Sequence, residues 1–410
     1  MSERLKKFLL IAFFLFSTIG IGTMLYFLFF APPPSLKTTE GEIEQEYDGS
    51  FPLSETGNPR QGASEPSATQ QLPEASEIAE GGLTKTQTLT ASSVQASSSS
   101  ADGNGMNYYD PADGRFYAVK ADGTVTSLSD RSFPAVQSVA WNKEKAKAVL
   151  EFPDGSNVVY DFETEHQVTL PSHWQAFSFS PVSDDLFAKN MGVDPGNRSL
   201  IVSNPDGSQV KSIQDLGENA GRVFIRPSPN RQIVAFSDTG DVQSGLGRKM
   251  ILPIGMNHEN LKGLIVEGVD FRSVWNPSGS LLLYSVAGET SDYRPQLWTV
   301  NGTPNRLGEE RRSLNVFTWA DKCTFAGPTT VYCAVPQALP SGSGIQPAVA
   351  ASLPDDVYKI DLTSGRLSLV ARPADGASIM GLVLSQDGTS LFFTNALTGR
   401  LERLKLKEGI

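Results

Sequence analysis

Residues suited to chemistry are scarce in this chain. His166, His173 and His258 are the only imidazoles, and Cys323 and Cys333 the only thiols. A histidine metal site would need all three imidazoles, whereas metal ligands normally converge from a denser cluster, so neither a metal nor a cofactor is expected. His166 and His173 flank a strand-like run ending at Pro171 and read as loop residues. Asp110-Pro-Ala-Asp113-Gly and Asn204-Pro-Asp206-Gly begin like calcium loops but lack the acidic ligands that should follow, and both read as turns. Asp184-Asp185 and Asp355-Asp356 are carboxylates adjacent in sequence, which is not by itself an acid–base geometry.

The cysteines carry a clearer signal. Each lies five residues from Pro328. Two strands turning near Pro328 would set them opposite one another, close enough for a disulfide. Closing so short a loop is worth about 2–3 kcal/mol at most.

The elements that must position any site are short strands and turns. From Met106 onward one unit recurs: a strand with an aromatic, a turn rich in Pro, Asn, Asp and Gly, and an apolar strand. It is seen at Val139-Ala-Trp141, Phe177-Ser-Phe179-Ser-Pro181, Phe224-Ile-Arg-Pro-Ser-Pro229, Val274-Trp275-Asn-Pro277-Ser-Gly279, Phe317-Thr-Trp319 and Leu382-Val-Leu384. Copies mostly about 40–50 residues apart have the period of a propeller blade. A second hairpin in most units, such as Asn157-Val-Val-Tyr-Asp161 with Gln167-Val-Thr-Leu170, brings each to four strands. The expected fold is therefore all-β: a six-bladed propeller over 106–410. Its last blade would be shared, the hairpin around Phe116–Leu128 pairing with C-terminal strands to close the ring and remove exposed edges. The longer gap around 321–386 leaves seven blades open.

Trp275-Asn-Pro277-Ser-Gly279 and Phe179-Ser-Pro181 resemble the aromatic-Ser-Pro-Asp-Gly turn of WD-repeat-like propellers of the bacterial envelope. The Tol translocation system propeller and the N-terminal propeller of dipeptidyl-peptidase-type hydrolases are the nearest look-alikes. The resemblance covers roughly 115–407 and implies fold and location, because the turn is structural. The Pro is missing after Trp141 and Trp319, and the aromatic is missing from Arg226-Pro-Ser-Pro229. A dipeptidyl-peptidase-type enzyme would add a hydrolase domain with a Gly-x-Ser-x-Gly elbow, which does not follow here. The chain therefore reads as not an enzyme.

Phe8–Phe30 is an uncharged run of 23 residues. As a helix it would rise about 35 Å, enough to cross a bilayer core. Bulky Leu28, Phe29 and Phe30 stand where a cleavage site would need small residues, so an uncleaved anchor is expected. Arg4, Lys6 and Lys7 place residues 1–7 in the cytoplasm by the positive-inside rule, and the propeller outside it. An oxidising compartment of that kind suits the disulfide. Residues 31–105 are rich in Ser, Thr, Pro and Glu and read as a disordered acidic linker.

Formal charge is +2 over 1–31, −8 over 32–105 and −5 over 106–410. Without a basic stripe a nucleic-acid partner is excluded. The expectation is a single-pass membrane protein whose extracytoplasmic propeller binds an envelope or surface protein as a non-enzymatic scaffold. The alternative is a glycan-binding or glycan-processing propeller, which a ring of exposed aromatics and carboxylates around the channel would favour. If a ligand site exists, it belongs on the long loops Met191–Arg198, Asp238–Lys249, Gly288–Pro295 and Val335–Pro354, sharing one rim if they share a blade position. The Pro- and Gly-rich composition of the last predicts a mobile loop.

Overall fold

The computed structural model describes residues 16–18, 20, 74–245 and 247–408. The chain divides into two units, Met1–Thr69 and Gln70–Ile410. In the first, Phe16, Ser17, Thr18 and Gly20 are helical; the remainder of the expected span 8–30 lies outside the described residues. Among the described residues no helix is long and apolar enough to cross a membrane.

The second unit is an all-β propeller of seven blades, which corrects the expected six. Numbered along the chain, the blades occupy 95–127, 138–170, 174–215, 223–267, 269–317, 323–373 and 379–405. The first six are antiparallel four-stranded meanders, and the seventh supplies three strands of its own; two strands from before the first blade, described below, complete blade 7 and extend blade 6. Central strands such as Ile233–Ser237 and Ser390–Asn395, buried along both faces, make this arrangement necessary: a twisted sheet with two apolar faces must bury both, and a ring gives every face a neighbour. Seven apolar clusters do this. Phe236 and Ile251 of blade 4 pack with Leu282 and Tyr284 of blade 5, and comparable clusters fill every other interface. The seventh joins Phe392 and Leu401 of blade 7 to Met106, Tyr108 and Val119 of blade 1, so the ring is closed.

The extra blade is the first. Its inner strand is Gln95–Ser99, Gln-Ala-Ser-Ser-Ser, which has no apolar alternation. The hairpin 116–128, expected to close the ring against C-terminal strands, is instead part of this blade and pairs with Gly105–Asp110. Closure uses a different segment: Gln87–Thr88 pairs with Arg403 and Glu402 as the outer strand of blade 7. Leu83–Thr84 adds a parallel strand to blade 6. The expected disordered linker 31–105 is thus corrected from Glu74 onward. The long gap around 321–386 hides no blade. It holds a loop of blade 6 between strands Thr330–Pro336 and Asp355–Asp361.

The recurrent aromatic turn acts as a rivet between blades. Trp275 Nε1 donates to Arg226 O of the preceding blade at 3.0 Å, and Trp141 Nε1 to Ala96 O at 3.0 Å. In the turn itself Asn276 Oδ1 accepts from Leu281 N, and Gly279 adopts φ +70°, open to a residue without Cβ. Cys323 and Cys333 face each other on neighbouring strands with Cα atoms 4.1 Å apart and are disulfide-bonded.

Candidate functional site

Each blade begins with its inner strand, so the starts of the inner strands share one end of the channel. Four of them carry a bulge with one residue in the left-handed region: Ala96, Ala176, Asp270 and Gly381. Bulges re-aim side chains and recur beside functional sites, and a non-glycine residue at positive φ costs on the order of 1 kcal/mol or more.

The bulge of blade 5 builds the densest polar group at this mouth. Asp270 Oδ1 accepts from Arg272 Nε at 3.0 Å, and Asp321 Oδ2 of the next blade accepts from Arg272 Nη1 at 2.9 Å. The guanidinium lies 5.4 Å from the Trp319 ring centroid, and Trp319 Nε1 donates to Asp270 Oδ2 at 2.8 Å. Burial works against the Arg272 charge, but the two carboxylates overcome it and hold its pKa above the usual value. The adjacent Lys322 donates to both oxygens of Asp355, at 2.8 and 2.7 Å, and Asp355 Oδ2 also accepts from Ile379 N at 2.7 Å. Burial pushes the Asp355 carboxyl upward, opposed by Lys322.

Trp319, Asp321 and Lys322 sit on or beside the short 3-10 turn Ala320–Lys322, and Cys323 caps that turn. The disulfide therefore fastens the segment that presents them. Between blades 5, 6 and 7 these side chains border a cavity of about 230 Å³, completed by Ala350, Ala351 and Met380. A second cavity, about 470 Å³, opens on the other side of Met380 and Gly381 against blade 1.

All four long loops singled out in the sequence join the second and third strands of their blades, so they emerge on this same face. The blade 6 loop is docked. Gly342 N donates to Asp292 O and Gly344 N to Tyr293 O, both at 2.8 Å, and Ser343 is fully buried. A side chain at Gly344 would collide with Ala287. The 3-10 turn Pro347–Ala350 then borders the cavity. Fourteen large apolar side chains are exposed on the described propeller. Eight lie on the loop-bearing face: Val193, Val242, Val269, Tyr293, Ile345, Val349, Met380 and Leu397. Only Val125, Val182, Val210 and Leu367 lie at the opposite turns.

Other sequence candidates resolve as structure. His166 and His173 stand at opposite ends of the strand Gln167–Leu170, and His258 is in a blade 4 turn, so the three do not converge. Among the described residues no group of three or more His, Cys, Asp or Glu is placed to hold a metal. Asp206 Oδ1 accepts from Ser208 N and Asp113 Oδ1 from Arg115 N, as turn residues do. Asp185 pairs with Arg231 at 3.1 Å. Asp355 and Asp356 point to different partners, the latter to Arg372 and Gln337. The exposed aromatics of the described propeller, Phe224 and Tyr293, form no ring. Asp270, Arg272, Asp321 and Lys322 were not legible as a group, because they come from different repeats.

No family model matches the chain, and no curated protein matches it in sequence. Solved structures match the fold. An oligogalacturonate lyase in complex with manganese aligns at TM-score 0.52 and 14% identity, over 79% of this chain and 93% of that one. The Swd1 propeller domain of Myceliophteria thermophila aligns at TM-score 0.52 and 12% identity, over 78% and 100%. TolB from Acinetobacter baumannii aligns at TM-score 0.34 and 13% identity, over 74% and 64%, too loosely to argue from. At this identity the likeness shows a fold: the chain resembles WD-repeat-like propellers at fold level. The lyase match corrects the expectation that the chain is not an enzyme. That expectation rested on a missing hydrolase domain, yet a lyase covered almost throughout by this match is an enzyme on the propeller fold.

Proposed function

We propose that this propeller is a protein-interaction module that docks its partner on the loop-bearing face. The carrying observation is the concentration of exposed apolar side chains there, eight against four at the opposite turns. Exposed apolar groups cluster where water is to be displaced by a partner, and scattered single residues carry no such meaning. Loops projecting from a rigid ring supply that surface without disturbing the core. A photo-crosslinking amino acid placed at Val242 or Ile345 in cells should give a discrete adduct band. The same group at Val182 or Val210 should give none. Equal adducts from both faces, or none from either, would count against the reading.

We also propose that residues 8–30 anchor the chain in a membrane with the propeller extracytoplasmic, as part of an envelope assembly. The uncharged run, the basic residues before it and a disulfide in the propeller support this placement. The full chain should stay in the membrane pellet after an alkaline carbonate wash, and externally added protease should degrade the propeller. Release by the wash, or protection of the propeller, would sink it.

A further inference from the structure

We infer that the cavity between blades 5, 6 and 7 is the anchor site for a partner segment carrying a leucine-sized apolar side chain followed closely by lysine or arginine. The inference rests on the docking reading above and specifies its partner.

Size and lining select the apolar side chain. The cavity, about 230 Å³, opens beside Met380 and the blade 6 loop, and its surfaces include the Trp319 ring, Ala350 and Ala351. Trp319 is itself buried, with its only ring N–H satisfied by Asp270. An apolar group entering here displaces water from carbon surface and strands no unpaired ring donor.

Charge selects the neighbouring residue. Asp270 and Asp321 share one guanidinium, which leaves an excess of one negative charge. The Asp321 side chain is 51% exposed, against 30% for Arg272 and 12% for Lys322. The cations are thus withdrawn into their pairs, and the most exposed charge lining the cavity is a carboxylate. The adjoining blade 5 loop continues the pattern: Glu289 and Asp292 are exposed, and Arg294 is paired with Asp292 and set over the Phe317 ring. The blade 6 loop, 337–354, contributes no charge at all. A basic residue beside the anchor meets a net negative potential from Asp321 and the blade 5 loop and no opposing charge from the blade 6 loop, and an acidic one meets repulsion.

The site is also preorganised. The disulfide, the Lys322–Asp355 pair and the backbone bonds from Gly342 and Gly344 hold three of its walls before any partner arrives, which lowers the ordering cost of binding.

The test is selection of a random twelve-residue phage-display library on the full chain purified in detergent. Enriched sequences should share an apolar residue followed within two positions by Lys or Arg. Ala351→Trp, which fills the cavity from an exposed position, should lower their capture at least about tenfold, the loss that one buried anchor carries at a hot spot. Asp321→Lys should do the same, whereas Asp184→Lys on the opposite face should not. Enriched peptides of another chemistry, or peptides that A351W retains fully, would overturn the anchor site while leaving the docking face standing. Failure of any peptide to enrich would overturn both.

Discussion

Deleting residues 74–105 is expected to leave the propeller unable to fold, although most of that segment has the composition of a linker. The deletion removes three strands at once. Gln87–Thr88 is the outer strand of blade 7, Leu83–Thr84 extends blade 6, and Gln95–Ser99 is the whole inner strand of blade 1. Around them Leu89 N donates to Leu401 O at 2.8 Å, Val94 N to Gly399 O at 2.7 Å, and Trp141 Nε1 to Ala96 O. Leu89 and Val94 are buried in the cluster that joins the last blade to the first. Their burial alone is worth about 1.5–3 kcal/mol each. Each lost hydrogen bond adds about 1 kcal/mol, and more wherever the orphaned partner stays buried. The sum rivals the roughly 5–15 kcal/mol by which a domain is stable at all. The open ring also presents unpaired strand edges to other molecules. The expected result is loss of the cooperative thermal transition by circular dichroism and recovery of the product as aggregate. A monomeric product melting within a few degrees of the full chain would show that closure at the last blade is dispensable.

That prediction also marks where the sequence stops speaking. Six blades announced themselves because the chain repeats an aromatic, a tight turn and an apolar strand, and each of those features is a local necessity of blade packing. The first blade was hidden because its inner strand is Gln-Ala-Ser-Ser-Ser. Facing the channel mouth, a strand need not alternate, so its composition is that of a loop. The closing strand was hidden for another reason. Two residues, Gln87 and Thr88, suffice to complete a sheet whose other strands already carry the core. The disulfide was legible because its partners are joined by one hairpin. The polar group at the mouth was not, since its members become neighbours only when blades 5 and 6 pack together. One signal was nevertheless present: Asp270 meets Trp319, and Arg272 meets Asp321, each 49 residues on. Trp275 reaches Arg226 at the same interval. In a propeller a spacing of one blade is a spatial contact, so the repeat period predicts pairs as well as architecture.

Replacing Lys322 by alanine is the substitution from which the largest single-residue loss is expected. Asp355 is fully buried, and both its oxygens accept from the Lys322 ammonium. Removing the ammonium leaves a buried carboxylate with only the Ile379 amide for support. Such a half-pair costs about 3–5 kcal/mol. The pH dependence should identify the cause. Burial raises the Asp355 carboxyl above its ordinary value of 3.8 even with Lys322 present, so the folded state binds this proton more tightly than the unfolded state does. Its contribution to stability therefore falls as pH rises from 3.8 through the folded value, and is level above it. Without Lys322 the folded value moves further up. The variant should be weakest at neutral pH and regain stability as pH is lowered, as the carboxyl takes up its proton. Lys322→Met with Asp355→Asn should restore most of the loss at neutral pH. It removes both charges and keeps an oxygen for the Ile379 N–H. Asp355→Leu in place of Asp355→Asn should fall short by about 1–3 kcal/mol, the cost of the orphaned amide. Chemical denaturation of the three variants from neutral to acidic pH reads all of this. A loss that does not change with pH would mean that Lys322 acts through packing of its stem beneath the cavity and not through its charge.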